Sequence, residues 1–327
     1  MKCELPCFLL RFHSTTVSPN YHGRTVNQIL VARLVLYLTS LTITSAIKGR
    51  IDIPAETPLF FASKLVAEAL SELSSGAPAS TSALQRLRLA QTLLSSFEPY
   101  ATTSHDWAGV YERGASSLKL DLHFCAGPYE GAWLGQFVGA ICAMTVLEVG
   151  MRTGTTTLCI AENLPRDDQK AHVTTLELME YLKGFVEPYF RAAGHGPERI
   201  TVVTSKASDS LKLLPSSGSS SDSKTIPEKA KGPFDLIFID ADKGGYVEYY
   251  KLIIDGGLLA KTGTLLIDNT LCKGTAFAPG LLEVEPQINL VNAKAISEFN
   301  DMILKDDRVN VTLLPVRDDV MMVNWRN

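Results

Sequence analysis

The ten residues FDLIFIDADK, Phe234 to Lys243, restrict the fold of this chain more than any other stretch. Phe234, Leu236, Ile237, Phe238 and Ile239 form a nearly unbroken apolar run, and Asp240, Asp242 and Lys243 follow at once. A short run of β-forming residues without polar alternation suits a strand buried on both faces, the kind found in parallel sheets covered by helices. In an open α/β sheet, ligands sit beyond the carboxyl ends of the strands. Two carboxylates and an ammonium at that end read as facing a site. The plainer alternative is a strand-to-helix turn capped by Asp.

The same signal recurs around it. Strands are expected at Val146–Val149, His172–Leu176, Ile200–Val203, Asp235–Ile239 and Thr264–Ile267. Helical spacing separates them at Thr155–Asn163, Met179–Ala193, Ser208–Leu214 and Tyr246–Ile254. Alternation of this kind predicts a doubly wound, Rossmann-like parallel sheet. The chain then departs from it: a helix over Ala293–Lys305, a strand over Val309–Leu314, a tight turn at Val316–Asp319 and a strand over Val320–Asn324. A hairpin there turns the last strand antiparallel to its neighbours. Helical patterns over Pro54–Ser74, Ala83–Phe97 and Pro128 to about Ala143 precede every strand. The expected plan is a basic and apolar extension over 1–52 and one domain over 53–327. Within that domain, 53–125 is a helical cap, 126–327 the core, and the Ser-, Lys- and Pro-rich stretch 216–231 a surface insertion.

A formal net charge of -4 gives no general basic field, which disfavours nucleic acid as a partner. The six cysteines show neither CxxC nor zinc-finger spacing, so a reducing, cytoplasmic location is expected. Cys142 and Cys159 lie in apolar helical contexts that suit buried thiols. Residues 29–47 are apolar apart from Arg33 and several hydroxyls. A membrane span, a targeting segment and a helix packed on the body or on a second subunit all fit that stretch, and the last is preferred.

Beyond the first strand, Gly150 and Gly154 let the backbone approach a ligand. The spacing E-x-G-x-x-x-G is not that of a phosphate cradle. Glu177, at the end of the second strand, is placed to accept from both hydroxyls of a ribose. Asp268-Asn269 ends the strand after Asp240, where the alternative is an ordinary turn. Carboxylate and amide oxygens together suit hard cations.

With Glu148-Val-Gly150, Glu177, Asp240-Ala-Asp242-Lys243 and Asp268-Asn269-Thr270, the chain resembles the class I S-adenosylmethionine-dependent methyltransferases, in particular the caffeoyl-CoA and catechol O-methyltransferase group in its fungal and bacterial small-molecule branch. The resemblance runs from about Ala126 to the C-terminus. It implies a seven-stranded sheet of order 3-2-1-4-5-7-6 with strand 7 antiparallel. It implies Glu148 and Gly150 beside the methionine part of the cofactor, Thr156 near its carboxylate, Glu177 on the ribose and Ala207 beside the adenine. Asp240 is the residue shared between that pocket and the metal. Asp240, Asp268 and Asn269 match the protein ligands of a divalent cation (Mg²⁺, with Ca²⁺ or Mn²⁺ as alternatives), and Lys243 the lysine beside the nucleophilic hydroxyl.

The implied activity is metal-assisted methyl transfer to a hydroxyl of a small, aromatic, catechol-like metabolite, by a homodimer. Arg152, Thr155, Ala126 and Cys272 depart from the family's pattern, and Arg317-Asp318-Asp319 stands where Arg-Asp-Gly is more usual. These departures keep a second reading open: the same fold without methyl transfer, as a binding protein or a pericyclase or isomerase.

Overall fold

The computed structural model describes residues 58–74, 81–94, 126, 128–215, 226–275, 289–317 and 319–326. The extension 1–52, its apolar stretch 29–47, the later part of the cap and residues 216–225 of the insertion lie outside the described residues. Among the described residues no helix is long and apolar enough to cross a membrane.

Two helices come first, α1 (Pro58–Ser74) and α2 (Thr81–Leu94). They pack on each other through Val66, Ala69, Ala83, Leu87 and Ala90, with Arg86 bridging Glu68 and Glu72 across the pair. Helix α3 (Pro128–Ala140) leads into β1 (Thr145–Val149) and α4 (Thr155–Asn163). Then follow β2 (His172–Glu177), α5 (Glu180–Ala192), β3 (Ile200–Thr204), α6 (Ala207–Leu213), β4 (Phe234–Ile239) and α7 (Tyr246–Asp255). The chain closes with β5 (Leu259–Asp268), α8 (Leu290–Ile303), β6 (Val309–Leu314) and β7 (Val320–Trp325).

The seven strands form one sheet in the order β3-β2-β1-β4-β5-β7-β6. Strands β1 to β5 run parallel, and β7 is antiparallel to both β5 and β6. Both features match expectation. Strand β5 differs, starting at Leu259 rather than Thr264. Its early residues Lys261 and Thr262 are exposed, and the register against β4 shifts between Phe234 and Leu236. An irregular, solvent-facing strand start carries no apolar alternation, so the hydrophobic pattern misses it.

Alternate residues of the central strands feed two cores, as the period of two requires. Leu147, Val149, Ile237, Ile239, Leu265 and Ile267 face α7 and α8, where Tyr246, Tyr250 and Phe299 are fully buried. Val146, Leu236, Phe238 and Leu266 face the other way, among Leu134, Leu158 and Val186 of α3, α4 and α5. Two polar fasteners hold the edges. The Asp235 carboxylate accepts the Met144 and Thr145 N–H groups at 2.8 and 3.0 Å, tying the start of β1 to β4. The Arg199 guanidinium donates to the Leu164 and Pro165 carbonyls at 2.8 and 2.9 Å and, at 3.4 Å, to Ala161. It thus caps the C-terminal end of α4 with a cation, where the helix dipole favours one.

Two smaller expectations change. Cys142 is exposed, at φ +52 just past α3, while Cys159 is buried as expected. His172, which the sequence reads as an ordinary loop or strand-edge histidine, opens β2 and is buried. It is 1% exposed within β2, its ring nitrogens paired with the Glu198 carbonyl at 3.2 Å and the Thr201 hydroxyl at 2.9 Å.

Burial pulls the His172 pKa down from 6.5 to about 4, outweighing the Glu198 carbonyl. Between those values the unfolded chain binds the proton better than the folded one. The stability His172 gives is therefore complete above pH 6.5 and is lost as the pH falls toward 4, by roughly 2 kcal/mol between pH 7 and 5. Chemical denaturation at the two pH values measures that slope, and His172→Gln flattens it.

Candidate active site

Three strand ends meet at the loop after β1. The Val149 carbonyl accepts the Asp240 N–H at 2.9 Å, and the Gly150 and Met151 N–H groups donate to the Leu176 carbonyl at 3.0 and 3.1 Å. Gly150 has φ +103, and a Cβ there would stand 2.2 Å from the Asp240 carbonyl oxygen. No side chain fits, which is the physical reason for glycine at this position. Gly154, also left-handed, starts α4 against the Phe190 ring.

Glu177 ends β2 with both oxygens oriented by main-chain amides: Oε2 accepts Arg152 N–H at 2.8 Å and Oε1 accepts Met179 N–H at 2.9 Å. A carboxylate oxygen held this way keeps a second lone pair for a hydroxyl donor. Ala207 opens α6 after the neighbouring strand β3 and is partly exposed. Glu148 lies near the end of β1. It is completely buried, and its oxygens accept the hydroxyls of Thr156, Thr157 and Thr175. Burial pushes its carboxyl up to about 7 against the lowering effect of those three donors. Glu148 and Thr156 therefore satisfy each other beneath the loop.

On the other side of Gly150 lies a cluster of charge. The pairing of Ile239 with Ile267 puts Asp240 and Asp268 at adjacent strand ends. Lys243 Nζ meets Asp240 Oδ1 at 2.9 Å and donates to the Tyr246 hydroxyl at 2.7 Å. That hydroxyl donates in turn to the Asp268 main-chain carbonyl at 3.0 Å. Asn269 follows at φ +58, its N–H on Asp268 Oδ1 at 2.8 Å.

Glu130 of α3 joins this cluster, and sequence reasoning missed it. It is 2% exposed and faces Arg317 at 3.4 Å from the turn before β7. The only sequence signal was an acid in the first turn of an otherwise apolar helix, PYEGAWLGQFVGA.

Burial, then the Asp240 charge, raises the Glu130 carboxyl above the usual range, with Arg317 opposing. Asp268 is raised by burial and by the charges of Asp240 and Glu130. For Lys243, burial works against the ammonium, but Tyr246, Asp240 and Asp268 together hold its pKa above the ordinary lysine range. Burial pushes the Tyr246 phenol up as well. Lys243 is thus an ammonium and Tyr246 a neutral phenol that passes its own proton to a carbonyl.

Among the described residues no three His, Cys, Asp or Glu side chains are gathered as a metal-holding group. The set named from the resemblance is two carboxylates and an amide, Asp240, Asp268 and Asn269. It fits a hard divalent cation on one structural ground. Glu130 Oε1 is buried without a hydrogen-bond donor, and the Asp268 carboxyl is its neighbour. Ionised carboxylates only accept, so packed acids call for a shared proton or a cation.

The chain matches the O-methyltransferase family model over residues 118–326. A caffeoyl-CoA O-methyltransferase of Eucalyptus globulus is 30% identical over 194 residues, 59% of this chain and 71% of that protein. An O-methyltransferase of Aspergillus hancockii is 27% identical over 221 residues, 61% of this chain and 79% of that protein. Among solved structures, the S-adenosylhomocysteine-bound methyltransferase of Podospora anserina aligns with a TM-score of 0.60 at 26% identity, covering 73% of this chain and 96% of that one.

Substituting Gly150→Ala forces a Cβ against a backbone oxygen in a conformation that L-residues rarely adopt. The expected loss is roughly 3 kcal/mol, a fall of about 6–12 °C in Tm, read by thermal melting. The displaced loop should also expose the Asp240 amide to faster hydrogen exchange.

Proposed function

The chain belongs to the O-methyltransferase family, and from that premise we propose that it transfers a methyl group from S-adenosylmethionine to a hydroxyl of a small, aromatic, catechol-like molecule, with a divalent cation assisting. The observation that carries the reading is the contact between the Gly150 backbone and the Asp240 carbonyl. It sets a loop suited to the cofactor against an oxygen cluster suited to the acceptor, with no side chain between them.

In this reading Glu177, already oriented by two amides, accepts the ribose hydroxyls, and the small Ala207 leaves room for the adenine. Gly150 lets the methionine part lie along the backbone. Glu148 contributes indirectly, by fixing Thr156 and the first turn of α4. S-adenosylmethionine supplies an electrophilic methyl on a sulfonium. Asp240, Asp268 and Asn269 would hold the cation, most simply Mg²⁺, which would supply Lewis-acid polarisation of the acceptor hydroxyl.

Lys243 is the group assigned to the acceptor's proton. It begins as an ammonium fixed by Asp240 and Tyr246. It must therefore first give its own proton to water, which positive charge opposing the pull of Asp240 and Asp268 would favour, before the free amine can take the acceptor's proton. The rate then comes largely from holding the hydroxyl and the methyl in line.

The reading extends to a cytoplasmic homodimer in specialised metabolism. The scattered cysteines and the lack of a basic field support that extension.

Calorimetry with S-adenosylmethionine and a methylation assay on a catechol panel, with Mg²⁺ or with chelator, test the proposal. Cofactor binding and cation-dependent turnover are expected. Asp240→Ala should lower kcat/KM by about 100-fold or more, the scale lost with one electrostatic stabiliser. An Asp240→Ala protein with undiminished turnover sinks the cation assignment. Cofactor binding without turnover across the panel favours the same fold without methyl transfer.

A further inference from the structure

Where the loop after β5 meets the turn before β7, five residues other than glycine hold positive φ, among them Asn269 at +58° and Asp319 at +118°. Asn adopts this region readily, whereas Asp at +118° lies outside the small left-handed well. Such a conformation persists only where the surroundings over-determine it. At Asp319 they do. The residue is 1% exposed, and its carboxylate accepts the Leu271 N–H at 2.8 Å and the Thr270 hydroxyl. Its main-chain carbonyl accepts the Asn269 N–H at 3.1 Å.

One residue therefore gathers donors from three consecutive positions, 269, 270 and 271, directly after Asp268. Asn300 of α8 braces the same loop by donating to the Thr270 carbonyl at 2.7 Å. The arrangement works against the local electrostatics, since the Asp319 charge adds to those that raise the Asp268 carboxyl. A glycine would relieve the backbone and remove that charge. It would also leave the Thr270 hydroxyl and the Leu271 amide without their acceptor, in a buried place where lost partners weigh heavily.

We propose that Asp319 is a positioning residue for Asn269: by bracketing residues 269–271 it fixes the Asn269 main chain beside the Asp268 carboxylate, so that the Asn269 side chain is carried on a rigid backbone next to that carboxylate. The inference rests on the reading that Asp240, Asp268 and Asn269 bind that cation. Asp319 itself need touch neither cation nor substrate. Supporting partners of this kind typically change metal affinity about 10- to 100-fold when removed.

The test titrates Mn²⁺ and S-adenosylhomocysteine separately into the full chain and its Asp319→Gly and Asp319→Asn variants, with thermal melting in chelator alongside. Asp319→Gly should weaken Mn²⁺ binding about tenfold or more while S-adenosylhomocysteine affinity stays within about twofold. Asp319→Asn tolerates positive φ and keeps an acceptor for the Leu271 amide, so it should recover Mn²⁺ affinity to within about threefold of the wild type. A residue that merely stabilises the fold would lower Tm and weaken both ligands together, and that outcome overturns the proposal. So does wild-type Mn²⁺ affinity in Asp319→Gly. Should Asp319→Gly not fold, Thr270→Val, which deletes one bracketed donor, makes the same comparison against Asp319→Asn. A wild-type protein that takes up no Mn²⁺ fails at the earlier step: it removes the cation reading, and this proposal with it, before any variant is compared.

Discussion

The loop after β1 and the residue that follows β4 lie back to back, closer than a side chain would permit: a Cβ on Gly150 would fall 2.2 Å from the Asp240 carbonyl oxygen. That approach depends on parallel pairing of β1 with β4 in a register that ends at Val149 and Ile239. The fully buried Leu147, Phe238 and Ile239 maintain it. Core packing, strand register and site geometry are therefore one constraint seen at three scales. The amides of Gly150 and Met151, both donated to the Leu176 carbonyl, carry it one strand further, to the base of Glu177.

The charges around Asp240 are arranged in opposition. The Asp240 charge raises the carboxyls of Glu130 and Asp268, Glu130 raises Asp268 further, and Lys243 and Arg317 offset only part of that repulsion. Buried acids of this sort are expensive unless paired, and their persistence is a physical argument for function rather than for stability. The chain from Lys243 through the Tyr246 hydroxyl to the Asp268 carbonyl runs in one direction only, donor to acceptor. It fixes which group is the ammonium and which the phenol. Helix α7 places that phenol, through edge packing of Tyr246 on Phe299 at 5.8 Å.

Most of this architecture could be read from the chain because its strands are apolar without alternation and end in charge. FDLIFIDADK predicted both a central strand and a cluster beyond it, and the hairpin 309–324 predicted the antiparallel strand. The start of β5 was hidden because its exposed Lys261 and Thr262 lack a pattern. Glu130 was hidden for another reason: helical spacing says which face of α3 is buried but not that an acid on it meets two strand ends more than a hundred residues later. Glu148 shows the converse. Its place in the motif stands out in the sequence, but the three threonines that supply its hydrogen-bond donors do not. The turn at 316–319 reads in the sequence as a hairpin turn and as a departure from Arg-Asp-Gly, and no more. Three-dimensional contact was needed to see what Asp319 holds.

Arg199 gives the fold a further property. Its guanidinium grips the final carbonyls of α4, while the opposite end of that helix is seated by the Glu148–threonine cluster. The helix is moored at bow and stern, and residues 155–161 are all buried along its length. Any accommodation of an arriving guest must then be made by the three-residue bend between Gly150 and Gly154, with the helix serving as a fixed quay.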